Sequence, residues 1–184
     1  MTELQITYST IHSDDELLTS DIDVLVELIQ DAISTNNSVG FLHTTTKSEL
    51  IEFWHNEIKE LETANTFVIA RDGIRIVGIV ILTRETRPNG RHRAELRKLI
   101  VHSDYQRNGI AYALERAATD LARDYGLKLL YLDSATDFLV ERVYESWGWQ
   151  KAGSIPDYSS KPDGTLEPTT YFYKHIQYPE RRPE

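Results

Sequence analysis

The segment Leu96 to Ala111, LRKLIVHSDYQRNGIA, constrains this chain more than any other stretch. It reads as a buried strand, a short polar turn, then a helix whose first turn carries a glycine. That order gathers the backbone N–H groups of Gln106, Arg107, Asn108, Gly109, Ile110 and Ala111 around one point at the positive end of a helix dipole. Such a point binds a phosphate or pyrophosphate. Gly109 lets the backbone approach closely because it has no Cβ, and Arg107 adds a positive charge. Taken alone, a single glycine before a helix is weak evidence. The strand–turn–helix context gives it weight.

At 184 residues the chain suits one domain, expected over 1–176 with a polar tail at 177–184. The sequence has no cysteine, which excludes disulfides, thiolate nucleophiles and zinc–thiolate sites. No apolar run approaches the roughly 20 residues of a membrane span. The first ten residues lack the pattern of a secretory signal, so a cytoplasmic location is expected. The six histidines are scattered without an HxxxH pair, so no metal site is expected. GxSxG, GxGxxG and GxxxxGK[ST] runs are missing, so hydrolase, dehydrogenase and P-loop readings lack their parts. The net charge is −9, with 13 acidic and 2 basic residues in 1–65 and 16 acidic and 18 basic after them. Such a surface repels nucleic acid and anionic membrane, and its halves suit a cationic and an anionic ligand. Two solvated acidic helices would give the same split.

Hydrophobic spacing predicts a strand over 4–10 and a helix over 14–35 with Leu18, Ile22, Leu25, Ile29 and Ala32 on one face. Thr46 to Glu49 forms a capping box for a second helix carrying Leu50, Trp54, Ile58 and Leu61. Strands follow at 66–71, 75–84 and 93–102, joined by Asp72-Gly73 and Pro88-Asn89-Gly90. A helix from Ile110 is stopped by Gly126. Then come a continuous apolar strand at 127–133, a short helix at 138–147, and strands at 149–154 and 169–174. Residues 154–169 read as a long loop. The fold class is α+β: a mixed, mostly antiparallel sheet with helices on both faces.

The third strand has an irregularity. Ala94 and Leu96 share one parity, Leu99 and Val101 the other, which would place the pairs on opposite faces. One extra residue near Arg97-Lys98, a β-bulge, would restore a single apolar face. The alternative is burial on both sides, since Ile100 is apolar too.

With these elements in place, the chain resembles the GCN5-related N-acetyltransferase (GNAT) family. The family's turn, Gln/Arg-x-x-Gly-x-Gly/Ala, is matched by Gln106-Arg107-Asn108-Gly109-Ile110-Ala111. Val143 to Trp149 is similar to its Leu-Tyr-x-x-x-Gly-Phe segment, with both flanking hydrophobes changed. Ser38 to Phe41, Arg87 to Glu95 and Pro162 to Thr169 resemble the tabtoxin-resistance acetyltransferase group within it. Asp137 stands where the family often has an asparagine that contacts pantetheine. A carboxylate is acceptor-only and cannot supply that donor.

The resemblance implies the GNAT fold, with its sheet splayed into a V, and acetyl-coenzyme A as donor. It implies that 106–111 hold the pyrophosphate and that the backbone of Leu99, Ile100 and Val101 holds the pantetheine arm. One N–H there would stabilise the oxyanion of a tetrahedral intermediate, formed as the acceptor amine attacks the thioester directly. Tyr144 matches the general acid that protonates the leaving thiolate. Asp133, after the buried Leu132, is the candidate to take the amine's proton; it can equally anchor an ammonium or cap the next helix with Ser134. Glu95, Phe41 and Tyr158 are candidates for the acceptor side. Glu95 can instead pair with Arg93 or Arg97, and large aromatics such as Phe41, Trp54 and Tyr158 are commonly core. The expected acceptor is the primary amine of a small molecule, an amino-acid-like compound or an amine toxin or antibiotic, with a homodimer the expected assembly. The alternatives are a protein N-terminus or lysine, against which the 154–169 loop counts as a roof, and a CoA-binding module without turnover.

Overall fold

The computed structural model describes residues 5–178. Seven strands form one sheet in the order β1 (Ile6–Ile11), β2 (Asn65–Asp72), β3 (Arg75–Arg84), β4 (Arg93–Val101), β5 (Leu129–Ala135), β7 (Leu166–His175) and β6 (Gln150–Ser160). Helices α1 (Asp21–Ser34) and α2 (Lys47–Lys59) cover one face, and α3 (Ile110–Asp124) packs on the other. The short α4 (Phe138–Ser146) follows β5. β2 and β3 are buried on both faces, so alternate residues feed separate cores: Phe67, Ile69, Ile79 and Ile81 meet α1 and α2, while Val68, Ala70, Val80 and Leu82 meet α3.

The bulge in β4 is present. Ile79 pairs with Ile100 and Ile81 with Arg97, so three steps of β4 oppose two of β3. Lys98 takes the left-handed conformation, φ +52°, to absorb the extra residue. Ala94, Leu96, Leu99 and Val101 therefore all face the α3 core, and Ile100 faces the other. Both sequence readings hold together: one restored apolar face, and burial of Ile100 behind it.

All β pairing is antiparallel except β4 with β5. Their parallel ladder runs only from Arg93↔Leu129 to Glu95↔Tyr131. Beyond it the strands part, which splays the sheet into the expected V.

Several boundaries differ from expectation. Residues 14–34 are not one helix: a 3-10 turn at Asp14–Glu16 precedes α1, and Leu18 is exposed. The break uses Asp21 as an anchor, whose carboxylate accepts from Leu18 N–H at 2.9 Å and from both Arg71 guanidinium nitrogens at 3.0 and 2.6 Å. β5 runs two residues later than the apolar run suggests, so Asp133 lies within the strand rather than at its end. The stretch 154–169 is no loop. β6 and β7 extend through it and leave only 161–165 as a turn, closed by Gly164 N–H to Lys161 C=O at 2.8 Å and Lys161 N–H to Thr165 C=O at 2.9 Å. β6 is an edge strand, so Pro156 costs no ladder bond, and a second bulge at Asp157, φ +51°, absorbs the irregular sequence. Within the expected tail, Gln177 accepts from Arg123 Nε at 3.1 Å and the Tyr178 hydroxyl bonds Leu127 C=O; residues 179–184 lie outside the described set.

Candidate active site

Where β4 and β5 diverge, a cleft of about 280 Å³ opens, lined by Glu95–Ile100, Leu132–Ala135, Tyr144, Ser38–Gly40, Ser159 and Thr169. Its floor follows from the splay. Beyond Glu95, the β4 edge turned towards β5 has no partner strand, so backbone groups there are available to an extended ligand. Leu99 and Ile100 line the cleft. Val101 does not, and its carbonyl accepts from Gln106 Nε2 at 3.1 Å.

At the far end of β4 the glycine turn is assembled as an anion nest. Arg107 and Gly109 both take positive φ, +63° and +77°. Asn108 Nδ2 ties back the carbonyls of Tyr105 and Gln106 at 3.2 and 3.1 Å, and the Ser103 N–H and hydroxyl anchor on Asp31 at 2.8 and 2.7 Å. Ala113 is the first residue of α3 to make a helical bond, to Gly109 C=O at 3.0 Å. Among the described residues, the N–H groups of Arg107 to Tyr112 donate to no protein acceptor. Gln106 departs from expectation: its amide is already given to Ser103 C=O. The side chain of Ile110 is core, leaving only its amide for a ligand.

Tyr144 projects from α4 into the cleft. Its ring is fixed by Trp147, Trp149 and Phe172, with centroids 5.6, 6.2 and 5.3 Å away. Its hydroxyl makes no hydrogen bond among the described residues. Burial first, then the nearby carboxylates Glu115 and Asp133, push its pKa up to about 12. The phenol is therefore protonated at neutral pH and able to donate. Asp137 is not free for a ligand, because Oδ1 caps α4 through Leu139 and Val140 N–H at 2.8 and 3.1 Å. That also removes helix capping as an explanation for Asp133, whose exposed side chain lines the cleft.

Glu95 is half-buried in the cleft wall, and its expected arginine partners are taken elsewhere. Arg97 forks onto Glu57 at 3.2 and 2.6 Å, and Arg93 bonds Glu85 at 3.1 Å. Burial above all, with Asp133 adding to it, raises the Glu95 pKa against the pull of Arg97 and Lys98. The aromatic candidates fare differently. Trp54 is wholly core. Phe41 does not line the cleft; its ring packs edge-on against Phe53 just behind it. Tyr158 is exposed and packs on Tyr171, outside the lining.

Two residues carry structure that sequence reasoning missed. Lys98, the bulge residue, lines the cleft; only the break in parity pointed to its position. Glu115 sits on the buried face of α3 beside Leu114, Ala118 and Thr119. Its Oε1 accepts from Thr119, Trp149 Nε1 and Lys174 Nζ at 2.9, 2.9 and 2.5 Å. No sequence signal marks a lysine 59 residues away as its partner.

A family model described as Acetyltransferase (GNAT) family matches residues 27–149, two-thirds of the chain. The chain belongs to the GNAT acetyltransferase family. Among relatives, N-acetyltransferase 8F1 of Rattus norvegicus is 35% identical over 95 residues, covering 50% of this chain and 43% of that protein. The chain thus spans less than half the length of the curated relatives it matches. The GNAT fold also recurs in solved structures. The ribosomal-protein-S18-alanine N-acetyltransferase of Escherichia coli superposes with a TM-score of 0.70 at 18% identity, covering 98% of this chain and 99% of that one. A Salmonella typhimurium protein solved with its cofactor acetyl-CoA gives 0.71 at 14% identity, covering 94% of each. In this GNAT chain no described helix is long and apolar enough to cross a membrane, and no group of three or more metal-ligating side chains occurs among the described residues.

Proposed function

We propose that this chain is an N-acetyltransferase that moves the acetyl group of acetyl-CoA to the primary amine of a small molecule. The observation that carries the reading is a succession of three features: an anion nest of free amides after β4, an unpartnered edge along β4, and a protonated phenol in the cleft beside that edge. These features fit coenzyme A. Amides of 107–111 suit its diphosphate, and the open edge at Leu99 and Ile100 suits its pantetheine arm. When bound, acetyl-CoA supplies an acyl group activated as a thioester.

The chain's own groups handle protons and charge. Tyr144 delivers its hydroxyl proton to the departing sulfur. A free alkylamine has a pKa of about 10.4 and is mostly protonated at pH 7. Asp133, open to solvent, holds the incoming ammonium, and Glu95 accepts its proton. Burial makes Glu95 a stronger base than an ordinary carboxylate. The C–N bond forms and the C–S bond breaks; of the two protons the ammonium loses, the one taken by Glu95 returns to solvent, and the one shed as the amide forms replaces the proton that Tyr144 gave to sulfur.

A small acceptor is favoured by closure of the cleft's outer end. The tip of the β6–β7 hairpin bonds the α1–α2 connection: His43 N–H to Pro162 C=O at 2.9 Å, and Asn36 Nδ2 to Asp163 at 2.9 Å. Pro162 and Asp163 belong to one segment that resembles the tabtoxin-resistance group, and Asn36 and His43 flank another, Ser38 to Phe41; that likeness favours an amine toxin among the acceptors.

The test is thiol release from acetyl-CoA over a panel of amines, amino acids and peptides. Tyr144→Phe should lower kcat by about 10²-fold or more while CoA affinity holds. Unchanged kcat removes Tyr144 from the reaction. Peptides acetylated faster than free amines would replace the small-molecule reading with a protein acceptor.

A further inference from the structure

Among the described residues, Lys98 is placed unlike any other cation. It is the inserted residue of the β4 bulge, held at φ +52°, a conformation that L residues avoid. Strain of that kind persists where the surroundings over-determine it, and it clusters at ligand sites. The side chain lies in the cleft wall with its ammonium 5.7 Å from the Phe41 ring centroid and 5.5 Å from that of Phe53. Gly40 completes the nest: a Cβ there would stand 3.3 Å from Nζ, so the bare glycine leaves room for the ammonium.

Three other inward-lying cations are paired with carboxylates, and a fourth, half-buried Arg84, gives an N–H to the Thr63 carbonyl at 3.2 Å and stacks on the Tyr125 ring. Arg71 has Asp21, Arg97 has Glu57, and Lys174 has Glu115. Lys98 makes no ion pair and no hydrogen bond among the described residues, so its three N–H donors are left for something else. The aromatic faces tolerate the charge but accept no hydrogen bond of ordinary strength. Burial accordingly pushes its pKa below the usual lysine range, and Glu57, Asp133 and Glu95 only partly offset this. Glu95 and Asp133 share the cleft with it. The cleft thus offers a cation and two carboxylates that form no ion pair with it, the complement of a zwitterion.

We propose that Lys98 binds an anionic group of the acceptor, so that the substrate class is an amine carrying a carboxylate or a comparable oxyanion, as an amino acid does. This rests on the acetyltransferase reading above and assigns the substrate within it. The ammonium of such an acceptor lies towards Asp133 and Glu95, and its oxyanion takes the donors of Lys98.

The experiment compares matched pairs, free amino acids and their carboxamides, by thiol release from acetyl-CoA in wild-type protein, Lys98→Met and Lys98→Arg. In wild type the acid should exceed its amide in kcat/KM by about tenfold or more, the effect of a charge-assisted hydrogen bond. Lys98→Met should bring the two within about twofold, and Lys98→Arg should restore most of the preference. Equal use of acid and amide by wild type overturns the assignment without needing any variant, and leaves the acetyltransferase reading standing. A preference that survives in Lys98→Met also overturns it. Protein that binds CoA by calorimetry and acetylates no member of the panel refutes the enzymatic reading, and the Lys98 assignment with it.

Discussion

Gly109→Ala separates the anion nest from the fold that carries it. Gly109 caps α3 at φ +77°, and a Cβ built there meets no protein atom within 4 Å. The substitution therefore has no steric cost within the protein, only a conformational one. Holding an L residue in the left-handed region costs about 1–2 kcal/mol, and the stiffer unfolded chain returns about 0.4–1 kcal/mol. The net loss is about 1 kcal/mol, a fall in Tm of roughly 2–4 °C for a chain of this size. On the proposed reading, the methyl enters the space that the diphosphate would occupy. Forcing a methyl into a filled contact costs about 1–3 kcal/mol, which weakens CoA binding by roughly 5- to 150-fold. Isothermal calorimetry with CoA and with pantetheine, which lacks the diphosphate, gives the readout. CoA should weaken and pantetheine should not. A variant that loses the expected few degrees of Tm yet binds CoA as wild type does would refute the nest as the diphosphate site. Equal weakening of both ligands would refute it as well.

Two further substitutions test the chemistry and the frame. Glu95→Gln should lower kcat/KM by about 10²-fold or more and abolish the acid limb of the pH profile, which in wild type lies above the ordinary carboxylate range because burial raises this pKa. The stability sign is opposite: a raised folded pKa gives stability that is complete below the unfolded pKa and lost as pH rises through the folded one, so Glu95→Gln should melt higher than wild type at pH 7. Glu115→Leu strips Lys174 of its buried partner and should cost about 3–5 kcal/mol, a Tm drop of roughly 6–20 °C, most of it recovered by adding Lys174→Met; a loss under about 1 kcal/mol in denaturant melts would show that the pair contributes little.

The sequence made legible whatever depends on short-range pattern. The capping box at Thr46, the reversal after Asp72 (its turn residues Gly73 and Ile74, one place later than expected), the nest at 107–111 and the extra residue in β4 each leave a local mark. The splay could be inferred only through family likeness, since nothing in β4 or β5 shows that their ladder stops at Glu95↔Tyr131. The hairpin at 154–169 was hidden because proline, glycine and aspartate normally mark loops, and an edge strand with bulges tolerates all three. Glu115 was hidden for a different reason: its charge breaks an apolar stripe, and its compensating partner arrives from a distant strand. Glu95 was visible as a candidate, but its freedom from Arg93 and Arg97 emerged only once Glu85 and Glu57 were seen to claim them.

The inserted residue of β4 also sets what lengths of chain this architecture tolerates. Adding one further residue between Arg97 and Leu99 would turn Leu99 and Val101 towards the α1–α2 layer and Ile100 towards α3, inverting half a strand while leaving the composition almost untouched, whereas loss of Lys98 would leave a regular strand with the same faces and no kink. At the 161–165 tip, by contrast, residues added after Asp163 would lengthen a turn without reversing the face of any strand. Natural insertions should therefore collect at the hairpin and be almost nil at the kink, a pattern that any set of homologous chains would display.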